Sequence, residues 1–292
     1  MKRTRHRVAC KSSTLLLGDN TQIMGILNTT PDSFSDGGVY LHPDRAVERA
    51  EELVSQGATL IDIGGESSRP RGLYGHGAEP VSLVEEIRRT APVIERLASR
   101  VSTPISIDTT KSEVARQALR AGASIVNDIS ALRMDPKMAE VVSEFCVPVV
   151  LMHMKGTPQT MQNNPIYDDL IAEIIAFFDE RISAALKAGI PSENLIIDPG
   201  FGFGKSRAHN LQILAELDRF LLLNCPILVG PSRKQFTAPD APISDRIAGS
   251  IAAVTQCILK GAHIVRVHDV WQTRQAVDLI DQVAAYQDPI NP

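Results

Sequence analysis

Aromatic side chains are scarce in this chain, with eight Phe, four Tyr and one Trp among 292 residues. A surface that stacks nucleic-acid bases needs more of them. The formal charge of −4, with Lys and Arg spread throughout, supplies no basic footprint in their place. Long apolar runs are also missing, and nothing approaches the ~18 residues of a membrane span. The basic start, Met1–Arg7, lacks the apolar stretch and small-residue cleavage site of a secretory leader. Cysteine is sparse: Cys10, Cys146, Cys225 and Cys257 form no C-x-x-C pair, and no histidine cluster has zinc spacing. Cys146 and Cys225 lie in or just before apolar runs, where a free thiol packs as a small hydrophobe. Reduced cysteines predict a cytoplasmic protein.

What is present is a rhythm. Eight short apolar runs of strand type occur at Ile23–Leu27, Leu60–Ile63, Ile105–Ile107, Ile125–Val126, Val147–Met152, Leu195–Ile197, Ile227–Val229 and Ile264–Val267. Each is followed by a few polar residues and then by a helical pattern. Most are continuous Ile/Val/Leu runs, the mark of a parallel sheet covered by helices. Eight strand–helix units with right-handed crossovers close into a (β/α)8 TIM barrel, an α/β fold of about 250 residues. The chain is therefore expected to be one domain over residues 1–292, with the barrel at 22–286 and an N-terminal hairpin at 8–21. The turn signal Gly18-Asp19-Asn20 is the expected hairpin turn. Helices are predicted at Pro43–Gln56, Ser82–Ser99, Ser112–Ala121, Pro136–Phe145, Asp168–Ala188, His209–Leu222, Ser244–Lys260 and Gln272–Ala285, with Gly57, Gly122 and Gly189 as stops.

In such a barrel the residues just past each strand converge on one face. Polar groups far apart in the chain thereby become neighbours. Asn28 ends the first strand and runs into a loop rich in hydroxyls and carboxylates, with Asp32, Asp36 and the pair Gly37-Gly38. An amide oxygen there suits a hard cation or a substrate, and the carboxylates suit a cationic species. Asn, Asp, Ser and Gly are also ordinary turn residues. Gly200-Phe201-Gly202-Phe203-Gly204-Lys205-Ser206 is not a nucleotide loop, because Pro199 stands where the phosphate-binding pattern needs its first glycine. Arg266 and His268 alternate along the last strand, so both face one side if Val267 faces the other. If Arg266 merely braces the rim, Asp269 is a ready partner.

Met24–Gly38 closely resembles the first signature of the dihydropteroate synthase family, and Ile61–Pro70 resembles the second. Ser106–Thr109, Val126–Asp128, Leu151–Met154, Asp198–Lys205, Ser232–Lys234 and Arg266–Val270 resemble further motifs of the family, in family order. The resemblance implies condensation of 6-hydroxymethyl-7,8-dihydropterin pyrophosphate with p-aminobenzoate, releasing pyrophosphate. It implies pterin contacts from Asp108, Asn127, Met154, Asp198, Phe203 and Lys234. Each Asp also sits where a helix begins and so fits an N-cap. Pyrophosphate would meet Arg266, His268 and, through Mg²⁺, Asn28. The aminobenzoate pocket, where sulfonamides compete, would use Phe34, Ser68, Arg69, Pro70, Ser232 and Lys234. Asp108 and Asp32 would stabilise a pterin cation, with Lys234 and Arg69 completing the catalytic set. A homodimer through the last helices is implied as well.

Three departures stand out. Ser68 replaces the usual Thr and keeps the hydroxyl. Residues 71–77 lengthen the second loop. The segment 235–242 is short and Pro-rich where the family has a hydrophobic pair and a glycine. A corrinoid methyltransferase-type barrel would share the pterin grip but would need neither the first two loops nor the Arg266/His268 pair. A paralogue that binds pterin without catalysis finds support only in the loop departures.

Overall fold

The computed structural model describes residues 3–11, 13–30, 43–67 and 80–286. Strands β1 (His6–Cys10) and β2 (Ser13–Leu17) form an antiparallel hairpin in which Cys10 pairs with Ser13. The chain therefore reverses between Cys10 and Ser13, and not at Gly18-Asp19-Asn20. The alternation of the two strands explains the register. Val8 and Cys10, with Leu15 and Leu17, are buried, while Leu16 points out. Gly18–Asn20 instead turns the chain from the hairpin into the barrel. Gly18 has φ +111° there, and a Cβ would lie 2.7 Å from the Thr4 carbonyl oxygen.

Eight parallel strands follow: β3 (Gln22–Asn28), β4 (Leu60–Gly64), β5 (Ile105–Asp108), β6 (Ile125–Asp128), β7 (Val149–Met152), β8 (Leu195–Asp198), β9 (Leu228–Val229) and β10 (Ile264–Val267). They pair in the order β8-β7-β6-β5-β4-β3-β10-β9. A single bridge, Ile197 to Ile227, spans the remaining gap between β8 and β9. The result is a nearly closed (β/α)8 barrel, as the strand rhythm predicts. Inside its lower end, Met24, Leu60, Ile125, Val150, Ile196, Leu228 and Ile264 form one cluster with the hairpin residues Val8, Cys10, Leu15 and Leu17. The hairpin is thus a plug that keeps water from the end opposite the strand C-termini.

Outside the barrel are helices α1 (Pro43–Ser55), α2 (Leu83–Ala98), α3 (Ser112–Ala121), α4 (Met138–Phe145), α5 (Leu170–Lys187), α6 (Arg207–Glu216), α7 (Ile247–Leu259) and α8 (Val270–Tyr286). They bury the outward strand residues, among them Ile23, Ile61, Ile63, Ile107 and Val267. Local signals set several ends. Ser82 and Asp169 cap α2 and α5 by accepting from Glu85 N and Ala172 N. A capping box between Ser206 and His209 starts α6 earlier than expected, and its last predicted turns are a 3₁₀ segment, Leu217–Leu223. Likewise α7 starts only at Ile247, after a 3₁₀ turn at Ile243–Asp245. Cys146 is exposed and not core: it closes α4 in the left-handed conformation, φ 51°. Among the described residues no helix is long and apolar enough to cross a membrane.

Candidate active site

The C-terminal strand ends carry a ring of charge that the apolar lower barrel does not. Asp62 lies within the apolar run of β4 and is fully buried. Its Oδ2 accepts from Asn127 Nδ2 at 3.1 Å and from Arg266 Nε at 2.6 Å. Arg266 Nη2 in turn donates to Asp108 Oδ2 at 2.7 Å. Strands β4, β5, β6 and β10 are thereby tied into one network. In-register pairing of Gly64 with Asp108 and of Asp108 with Asn127 places Asp108 and Asn127 at one height, with Asp62 two residues deeper in β4. Arg266 is therefore ion-paired, but with Asp62 and Asp108. The expected partner, Asp269, is held by Arg233, whose Nε lies 2.9 Å from it.

Asp108 keeps about a fifth of its side chain exposed, at 19%. Burial pushes its carboxyl up to about 7; Arg266 opposes the rise, and Asp62, Glu86 and Asp128 add to it. Asp198, at the end of β8, is also raised by burial, against the pull of Lys234 and of the Gly200 N–H it accepts at 2.7 Å. Lys234 donates to the Phe201 carbonyl and sits 4.6 Å from the centre of the Phe203 ring. Burial brings its ammonium down to about 8. Met154 is buried beside Met152 and Met161, with Ile129 and Phe203 against them. An apolar wall thus stands next to the acids, as a flat heterocycle with a polar edge requires.

The loop after β8 comes close to its neighbours. At Gly200 (φ +70°) a Cβ would fall 2.1 Å from the His153 carbonyl oxygen. At Gly204 (φ +65°) one would fall 2.5 Å from that of Lys155. Only glycine permits both the dihedral and the approach. Lys205 is buried beneath, its Nζ 2.9 Å from His153 Nδ1 and 3.0 Å from the Phe203 oxygen.

Arg266 and His268 do share a side, while Val267 is buried in the outer core. Ser232 Oγ accepts from His268 N at 3.2 Å and lies 3.1 Å from His268 Nδ1. A hydroxyl that accepts the backbone N–H can donate its own proton to Nδ1, the arrangement that puts the imidazole proton on Nε2. Burial first, then Arg233 and Arg266, hold His268 down at about 3, so it is neutral near pH 7. Ser232, expected at the aminobenzoate, spends its hydroxyl on this histidine. Asn28 ends β3 half-buried. The atypical segment after Lys234 packs against its neighbours. Phe236 stacks on Phe201 at 5.4 Å, and Arg246 Nε donates to the Ala241 oxygen at 2.9 Å.

Asp32, Phe34, Ser68, Arg69 and Pro70 lie outside the described residues. At the base of the second loop, Lys111 donates to both Glu66 and Glu86, and Glu86 accepts from Thr109 Oγ1 at 2.6 Å. Sequence reasoning missed Asp62, Glu86, Lys111 and Lys205. The available signal was polarity out of place: an Asp inside an Ile/Leu strand, and a Glu on the apolar stripe of α2.

Fold and site together define a pterin-binding barrel enzyme, and the model of the pterin-binding enzyme family matches residues 24–268. The dihydropteroate synthase of Escherichia coli (strain K12) is 46% identical over 261 residues, 89% of this chain and 90% of that one. The structure of Xanthomonas albilineans dihydropteroate synthase with 4-aminobenzoic acid superposes with a TM-score of 0.88 at 46% identity, covering 97% of this chain and 99% of that chain. A Yersinia pestis dihydropteroate synthase with a sulfonamide drug complex gives 0.89 at 42% identity, covering 96% and 99%. The chain belongs to the dihydropteroate synthases, which are transferases.

Proposed function

We propose that the barrel mouth joins p-aminobenzoate to 6-hydroxymethyl-7,8-dihydropterin pyrophosphate, with a division of labour that follows the strand ends. The observation that carries it is the meeting of Asp108, Asn127, Asp198, Lys234 and Arg266 beside the Met154/Phe203 wall. Asp198 and Asn127 offer acceptors to the N–H donors of the aminopyrimidinone edge. The C–O bond to pyrophosphate breaks with its electron pair leaving on oxygen. The amine nitrogen then bonds to the exposed methylene carbon and loses a proton. Developing positive charge on the pterin falls to Asp108, and to Asp32 in the first loop. Arg266 and the Nε2–H of His268 receive the departing anion. Such preorganised charge does more here than a strong base would. Phe34, Ser68, Arg69 and Pro70 shape the aminobenzoate pocket, where sulfonamides compete, and Lys234 adjoins both substrates.

Among the described residues no three His, Cys, Asp or Glu side chains gather as a cation site. Asn28 alone fits Mg²⁺, because that ion accepts few protein ligands when phosphate oxygens and water complete its octahedron. Bound there, it would neutralise diphosphate charge. The whole chain acts as one domain, in the cytoplasm, and pairs into a homodimer through α7 and α8, whose outer faces expose Leu259, Trp271, Leu279 and Val283. The test is pyrophosphate release in a coupled phosphate assay. The synthase releases it only with p-aminobenzoate present and yields dihydropteroate. A methyltransferase or a silent pterin-binding paralogue releases none.

A further inference from the structure

Asp62 is fully buried and shows no surface to a substrate, yet two of the proposed recognition groups hang from one of its oxygens. Oδ2 takes both Asn127 Nδ2 and Arg266 Nε, while Oδ1 is buried without a hydrogen-bond partner among the described residues. An arginine can only donate, so its contact requires the carboxylate to be an acceptor. The Asn127 group facing that carboxylate must then be the NH₂, since an amide oxygen there would be repelled. The amide oxygen is thereby turned the other way, and among the described residues it accepts from no one.

We propose that Asp62 is a positioning residue. By taking the Asn127 NH₂ on the oxygen that also holds Arg266, it makes Asn127 present a carbonyl oxygen to the ligand, and so selects a heterocycle edge rich in N–H donors. The proposal rests on the pterin reading of the site and adds the reason its polarity is fixed. It makes a directional claim that separates Asp62→Leu from Asp62→Asn. An asparagine keeps one oxygen, and one oxygen already takes both donors, so it can hold Asn127 and Arg266 as before. A leucine removes that acceptor. Arg266 keeps Asp108, but the Asn127 NH₂ loses its partner and its oxygen is no longer held towards the ligand.

The experiment is calorimetry on the whole protein with two separate probes, 6-hydroxymethylpterin lacking the diphosphate and inorganic pyrophosphate. It is run on the parent, Asp62→Leu, Asp62→Asn, Asn127→Ala and the double variant Asp62→Leu/Asn127→Ala. Asp62→Ala replaces Asp62→Leu if circular dichroism shows that the latter does not fold. The expected result for Asp62→Leu is ring affinity weaker by about tenfold or more, pyrophosphate affinity within about threefold because Asp108 still holds Arg266, and KM for p-aminobenzoate unchanged. Asp62→Asn, which keeps the shared oxygen, should bind the ring within about threefold of the parent. In the double variant, ring affinity should match that of Asn127→Ala within about twofold, because Asp62 acts through Asn127. Unchanged ring affinity in Asp62→Leu, or parallel loss of ring and pyrophosphate binding, overturns the positioning role. Unchanged ring affinity in Asn127→Ala overturns the underlying pterin reading, and the proposal falls with it.

Discussion

Replacing Asp198 by Asn separates binding from folding, because the two should move in opposite directions. Asp198 is 6% exposed, and its carboxyl is raised chiefly by burial, so the folded protein holds this charge at a cost. Asparagine keeps an oxygen for the Gly200 N–H, now met at 2.7 Å, so the turn after β8 survives. The melting temperature should therefore stay the same or rise slightly. Binding should suffer. The other carboxylate oxygen becomes an NH₂ that faces the N–H donors of the pterin edge. Loss of a charge-assisted acceptor costs about 1.5–3 kcal/mol. At about 1.4 kcal/mol per decade, the Kd for the pterin pyrophosphate should rise by roughly tenfold to a hundredfold. Titration calorimetry with the intact diphosphate substrate measures this, alongside a melt of the same sample. A Kd within about twofold of the parent, with the fold intact, would refute the placement of Asp198 at the ring edge.

Asp108→Asn should lower kcat more than it raises KM, because the charge it answers develops late in the reaction. In the free enzyme, kcat/KM should climb with pH through about 7 as the Asp108 carboxyl ionises, and the Asn variant should lack that limb. Arg266→Ala would strand a buried Asp62 and Asp108, a loss of about 3–5 kcal/mol in stability, so Arg266→Lys is the cleaner test. The lysine keeps the charge but loses the fork, and pyrophosphate affinity should drop about tenfold with a smaller fall in melting temperature than for the Ala variant. His263, whose Nδ1 accepts from Ile227 N and whose Nε2 reaches the Thr4 oxygen, is held down at about 4 by burial. Its folded value lies below its unfolded one of 6.5, so stability is full above pH 6.5 and is lost as pH falls towards 4, by up to about 3 kcal/mol. Urea midpoints at pH 7.5 and 4.5 measure the drop, and His263→Gln should flatten it.

The barrel was legible because parallel strands buried on both faces read as apolar runs, and most of the eight were continuous. Boundaries were less legible where local chemistry overrides pattern. The Ser206/His209 capping box pulled α6 forward, and Pro242 delayed α7. The hairpin turn was misplaced because Gly18-Asp19-Asn20 is a good turn signal used at a different corner. Site residues at strand ends were readable from their position, since Asp108, Asn127 and Asp198 break apolar runs where a mouth must be. Asp62 breaks its run one layer deeper. A single sequence gives no measure of which distant cation answers a buried carboxylate, and so the Arg266 pairing was visible only once β4 and β10 were brought together.

The seam of the barrel lies where the proposed ligand would. Between β8 and β9, among the described residues, only the Ile197–Ile227 bridge completes the wall. Asp198 ends one side of that gap, and the segment carrying Ser232 and Lys234 continues from the other. A pterin held by both Asp198 and Lys234 would fasten the two edges as a clasp does. Its effect on amide hydrogen exchange should then be local, with slower exchange at residues 196–200 and 227–234 and little change along β4 to β6. Substrate would thus supply part of the wall that the backbone leaves unpaired, and the empty enzyme would breathe most along this one line.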